Sequence, residues 1–212
     1  MKIFSIAVAF VFSGFYCAVA QEGKLISDCT VFFNVLVEGS KVDPRVAKSM
    51  AGTTKVLYIK GSKSRSDLIT PSFKQTMFAD AKSDSIIIIR ELGSTKYISY
   101  LNESKKKEQN KKYEGIKFHN TNEKKTILGY SCNKVIAKLP DGSTYNVFYT
   151  SSITPTNKQY EFQFKDLPGF VLQYEEESED GKTKIKYSAI KISLDPVPDA
   201  KFNLPKSGYR IL

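Results

Sequence analysis

The 212-residue chain has no tryptophan, one histidine and three cysteines. The lone histidine, His119, removes most arrangements that need an imidazole base or several imidazole metal ligands. No Gly-x-Ser-x-Gly segment accompanies it, so a Ser-His-Asp triad has no nucleophile. Within Lys117-Phe118-His119-Asn120 it reads as a solvent-facing or sheet-edge residue. Cys-x-x-Cys spacing is missing, which excludes a dithiol redox motif. After the leader, no apolar run approaches membrane-spanning length. Ile86-Ile87-Ile88-Ile89 is too short for that and suits a buried strand. No helical pattern of core length, no long linker and no internal repeat appears. The sequence therefore assigns no catalytic residue, no cofactor and no metal site.

What is present begins with a leader. Met1-Lys2 is basic, Ile3 to Phe15 is apolar, and Ala18-Val19-Ala20 precedes polar Gln21-Glu22. That order predicts a secretory signal peptide over 1–20 and one β domain over 21–212, with its ordered part from about Leu25. The mature chain then has no transmembrane segment. Cys17 lacks the small and leucine-like neighbours of a lipid attachment site. The formal net charge is +10, and cleavage removes one positive charge with Lys2. Export argues against nucleic acid as the partner of this basic surface; anionic head groups or plain solubility fit better.

Cleavage leaves Cys29 and Cys132. An even pair in an exported protein predicts a disulfide across a loop of about a hundred residues. The alternative is two unrelated buried thiols.

The dominant pattern is short strands with turn punctuation. Val31, Phe33, Val35 and Val37 alternate along the first strand. Asp43 to Gly52 predicts a short helix, with Asp43 as cap and Val46 and Met50 on its buried face. Extended segments follow at Thr53 to Lys60, Ser64 to Thr70, Lys74 to Ala79, Ser85 to Leu92 and Lys96 to Leu101. Glu103 to Lys112 is lysine-rich, a short exposed helix or a loop. Further strands are predicted at Ile116 to Asn120, Cys132 to Leu139, Thr144 to Thr150, Phe170 to Glu175 and Lys182 to Leu194. Asp141-Gly142 and Asp180-Gly181 mark hairpin turns. The apolar phase switches after Ala189, which predicts a bulge. The fold class is mainly β: a large antiparallel sheet with one or two short helices.

Other features read as surface. Ser104-Lys105-Lys106-Lys107 matches Ser-x-x-Lys only because it lies in a lysine run. The acidic stretch Glu175 to Asp180 reads as a solvated hairpin tip rather than an ion site. Strand aromatics, among them Phe33, Phe78, Tyr97, Tyr145, Phe148 and Tyr174, either line an apolar cavity or pack a core.

Three stretches carry a resemblance: Lys125 to Lys134 (KTILGYSCNK), Leu167 to Glu175 (LPGFVLQYE) and Phe202 to Tyr209 (FNLPKSGY). With the leader, they resemble an exported bacterial domain family close to the one named for a Gly-Leu-Pro-Gly-Leu-Ile motif. Such domains are similar to the LolA/LolB-like superfamily. The resemblance implies an incomplete antiparallel barrel, or half-barrel, in the periplasm or at the outer-membrane periphery, and no reaction. It implies a non-enzymatic envelope protein holding a lipid, a lipoprotein acyl chain or another apolar ligand. The alternative is a structural or interaction module that meets another envelope protein.

Overall fold

The computed structural model describes residues 23–38, 42, 44–177 and 184–212. The signal peptide predicted over 1–20, the Asp43 cap and the Asp180-Gly181 turn lie outside the described residues, as does the side chain of Val46.

In chain order the elements are β1 (Lys24–Ile26), β2 (Asp28–Glu38), α1 (Pro44–Met50), β3 (Thr54–Lys60), β4 (Lys63–Ile69), β5 (Phe73–Asp80), β6 (Ser85–Leu92) and β7 (Thr95–Tyr100). Then come α2 (Glu103–Asn110), β8 (Lys117–Ile127), β9 (Tyr130–Lys138), β10 (Thr144–Thr150), β11 (Ile153–Pro155), β12 (Phe170–Glu177), β13 (Lys184–Ser193) and β14 (Arg210–Ile211). Twelve strands form one sheet in the order β14-β7-β6-β5-β4-β3-β2-β13-β12-β10-β9-β8, while β1 and β11 pair in parallel apart from it. Neither β14 nor β8 closes the sheet, so it stays open. The mainly β class with two short helices is as predicted.

Strand registers define two faces. Val35 faces Tyr187, Tyr187 faces Tyr174, Tyr174 faces Val147 and Val147 faces Val135. All five are buried, and they mark the inner face. Ile153, Tyr160, Phe164 and Leu167, from the connection between β10 and β12, join this core. The phase switch in β13 is a bulge between Ala189 and Lys191. It lets one strand present apolar residues in both phases.

The outer face of β3–β7 carries a second cluster, Phe78, Ile89 and Ile98, covered by Phe202, Leu204 and Tyr209. These belong to a C-terminal strap. Val197 N–H donates to Asp28 (2.9 Å) and Arg65 donates to the Lys201 carbonyl (2.6 Å). Tyr209 donates to Glu91 (3.1 Å), and β14 then pairs with β7.

The predicted bridge between Cys29 and Cys132 is not formed. Both are free, buried thiols. Cys29 shares the inner face of Val31 and Phe33. Strand alternation puts Cys132 on the face opposite its neighbour Val135, on the outer side. β13, β12 and β10 stand between their two strands. Four inter-strand steps of about 4.8 Å each far exceed the roughly 7 Å that a bridge tolerates.

Candidate functional site

Register also builds a cleft on the inner face of β3–β6. Lys55 pairs with Leu68, and Leu68 with Gln75; Ser66 pairs with Met77. These side chains, with Ala79 and Ile86, floor a cavity of about 280 Å³. Gln109, Asn110 and Tyr113 border it on the α2 side, and residues 159–163 on the other. A second chamber of about 270 Å³ continues outward, sharing Ala79, Ile86, Asn110, Gln159 and Phe162 with the first. Each chamber is just under the usual ligand-site range of about 300–1,000 Å³, and together they fall within it.

The side of the cleft formed by α2 has a local cause. The Asn102 side chain accepts from Lys105 N–H (2.9 Å), capping the helix. The helix has no apolar stripe. It is held by buried Lys106, which pairs with Asp84 and Glu103 and donates to the Asp84 carbonyl (2.7 Å).

The inner end of the cleft is polar. The Lys55 ammonium is buried, pairs with Glu161 and donates to the Tyr174 hydroxyl (2.6 Å). Three rings surround it: Phe33 at 5.8 Å, Tyr174 at 5.1 Å and Tyr187 at 5.4 Å. Tyr174 stacks on Tyr187 at 4.4 Å. Burial pushes the Lys55 amine down to about 8, and the Glu176 carboxylate opposes that shift. Glu161 is in contact and also favours the charged amine. Tyr113, Tyr174 and Tyr187 are all raised, by burial first and by Glu176 second. Tyr187 donates a hydrogen bond to Glu176.

The titratable groups of this chamber are Lys55, Glu161, Glu176 and four tyrosines, Tyr113, Tyr160, Tyr174 and Tyr187. Among the described residues no group of three or more His, Cys, Asp or Glu is placed to hold a metal ion. His119 is exposed on the edge strand β8, and Ser104 and Lys107 are exposed on α2. Of the strand aromatics singled out in the sequence, only Tyr174 borders the first chamber. Phe33, Phe148 and Phe170 pack the core instead, and Phe78 lies under the strap. Sequence reasoning missed Lys55, Tyr113, Glu161 and Phe162. For Lys55 there was one signal: a lysine on the alternation phase of Leu57 and Ile59, where a buried strand face was expected.

An open antiparallel sheet with a half-polar cleft on its inner face is the class of domain that fold and site define. Residues 45–158 match the family described as "Domain of unknown function (DUF4412)", and the chain belongs to that family. Nothing among curated proteins matches. Among solved structures it is similar to PNGF-II at 14% identity, over 88% of this chain, with a TM-score of 0.50. It spans 31% of that chain, and the likeness is one of fold alone. It also resembles a DUF1329 family protein from Desulfovibrio piger, at 11% identity, 84% of this chain, 90% of that chain and TM-score 0.41. A putative outer membrane lipoprotein-sorting protein domain from Vibrio parahaemolyticus matches at 8% identity, 84% of this chain, 89% of that chain and TM-score 0.35. Kinship with the Gly-Leu-Pro-Gly-Leu-Ile family is not shown.

Proposed function

We propose that this chain is a non-enzymatic binding protein of the cell envelope that holds a lipid or a lipoprotein acyl chain in the cleft. Export by the predicted leader and kinship with LolA/LolB-like carriers belong to the same reading. The observation that carries it is the pair of joined chambers on the inner face of β3–β6. Leu68, Met77, Ala79, Ile86 and Phe162 offer apolar contact, while Lys55, Glu161 and Glu176 stand at the closed end. That division suits an amphipathic ligand, with its chain along the floor and its polar group near the ion pair. No helix among the described residues is long and apolar enough to cross a membrane.

The test is binding of N-phenyl-1-naphthylamine and its displacement by palmitate, with mass spectrometry of an organic extract of natively purified protein. Met77→Trp, which fills the floor, is expected to weaken probe binding at least tenfold while leaving the circular dichroism spectrum intact. No probe binding together with no extracted lipid would overturn the reading. A stoichiometric protein partner recovered from envelope extracts without lipid would favour the interaction module.

A further inference from the structure

The outer face of β2, β13, β12, β10, β9 and β8 is set apart from the inner face by its charge. Register places Lys117, Lys125, Lys134 and Lys138 there from β8 and β9, and Lys186 and Lys191 from β13. Register also puts Lys184 on this face, opposite Glu38 and Glu177, and Asp28 at the start of β2, so the excess of lysine lies toward β8 and β9, where the acids are Glu123 and Glu175. Glu123 already pairs with Lys134 (2.7 Å), and Glu175 accepts from Asn146 (2.7 Å). The middle row, Asn34, Ser188 and Gln173, is polar, with Asn34 and Ser188 half-buried and Gln173 buried. The C-terminal strap covers the other half of the sheet, over β3–β7.

We propose that this face docks on a membrane surface rich in anionic lipid head groups. Charge complementarity is the first argument. Lys125 and Lys134 both lie over the Phe148 ring, at 4.1 and 5.8 Å. Burial and the nearby Lys186 both push the Lys125 amine down, so an arriving anion relieves a crowded cation. Residue type decides between a membrane and a protein. Protein interfaces enrich arginine and deplete lysine, whereas this face has lysines and no arginine. Lysines are hydrated point charges suited to a diffuse anionic plane. The third argument is the apolar residues beside them. Leu36 is 47% exposed and Ile190 57%, next to exposed Lys191 and half-buried Phe32 and Lys186. Short aliphatic side chains flanked by lysines suit shallow insertion at a head-group boundary. The inference is independent of what the cleft holds.

The experiment is co-sedimentation with phosphatidylcholine vesicles, with and without about 30% phosphatidylglycerol, at low and high salt. The protein is used as purified from the expressing cell, its N-terminus defined by mass, so that every variant carries the same terminus. Tight binding is expected only to the anionic vesicles, and it should be lost at high salt. Each lysine should be worth about fivefold. The triple variant Lys125→Gln/Lys134→Gln/Lys186→Gln should bind on the order of 100-fold more weakly. A control with the same charge change on α2 and the turn after it, Lys105→Gln/Lys107→Gln/Lys111→Gln, should lose much less. Equal binding to neutral and anionic vesicles overturns the proposal, as does a control that loses as much as the face variant. Binding to a single-stranded oligonucleotide or to polyglutamate that exceeds vesicle binding and falls in the face variant also overturns it, in favour of a nucleic acid or an acidic protein.

Discussion

At the residue scale, the family-like segments turn out to have backbone reasons. Gly169, in Leu167-Pro168-Gly169, lies so close to β10 that an added Cβ would sit 2.2 Å from the Thr150 carbonyl oxygen. Leu128-Gly129 forms the two-residue turn between β8 and β9, with φ of +51° and +82°. Glycine adopts such values freely, whereas leucine is strained there. Leu128 is also exposed, so little packing is lost when it is replaced. Leu128→Asn is expected to raise stability by about 0.5–1 kcal/mol, measured as the midpoint of urea unfolding. Lys55 behaves oppositely. Lys55→Met leaves the buried Glu161 carboxylate without its cation, at a cost of about 3–5 kcal/mol. The double variant Lys55→Met/Glu161→Leu should recover most of that loss, because it leaves no orphaned charge. Losses that simply add in the double variant would contradict the pair's geometry.

Elements differ in how plainly their sequences announce them. β6 and β10 fall on the residues predicted for them, because each is an apolar run bounded by turns and is covered on both faces. β8 runs on to Ile127, seven residues past the predicted end at Asn120. Its second half, Thr121-Asn122-Glu123-Lys124-Lys125, is polar because it is a solvated edge, where lysines guard against pairing with another chain. β1, β11 and β14 are two or three residues long and have no period to read. The cleft was illegible for a related reason. Its parts come from β3, from the lysine run around α2 and from the loop 157–165, which only register and chain return bring together. Phe202-Asn203-Leu204 was noticed as a motif, yet its work as a strap appears only once Phe78, Ile89 and Ile98 share the outer face. Phe202→Ala should therefore cost about 1.5–2.5 kcal/mol, half the value for a fully buried phenylalanine, since Phe202 is half-buried. Hydrogen exchange should show the added opening in β6 and β7 and little change in β9 and β10. Loss of protection across the whole sheet would mean that the strap is not a local cover.

At the scale of the whole molecule, the buried ionisable groups set an alkaline limit to the fold. Cys29 is pushed up to about 12, chiefly by burial and then by Asp28. Tyr113, Tyr160, Tyr174 and Tyr187 are raised as well, with burial the largest cause in each. In the unfolded chain the thiol ionises near 9.0 and the phenols near 10.0. Above those values the native state binds more protons than the unfolded state, so stability falls as pH rises. Each group contributes a slope of about 1.4 kcal/mol per pH unit once fully ionised in the unfolded chain. Lys55 works the other way between about 8 and its ordinary 10.5, where the unfolded chain holds the extra proton. One lysine does not offset five acids, and the slope reaches on the order of 5 kcal/mol per pH unit above 10.5. A domain stable by roughly 5–15 kcal/mol then unfolds within two or three units. A steep release of the four phenolates of Tyr113, Tyr160, Tyr174 and Tyr187 should coincide with loss of the β circular dichroism signal. Tyr187→Phe should shrink that step by one phenolate. Smooth titration of these four phenols with the sheet intact would show that they are not sealed beneath the inner face.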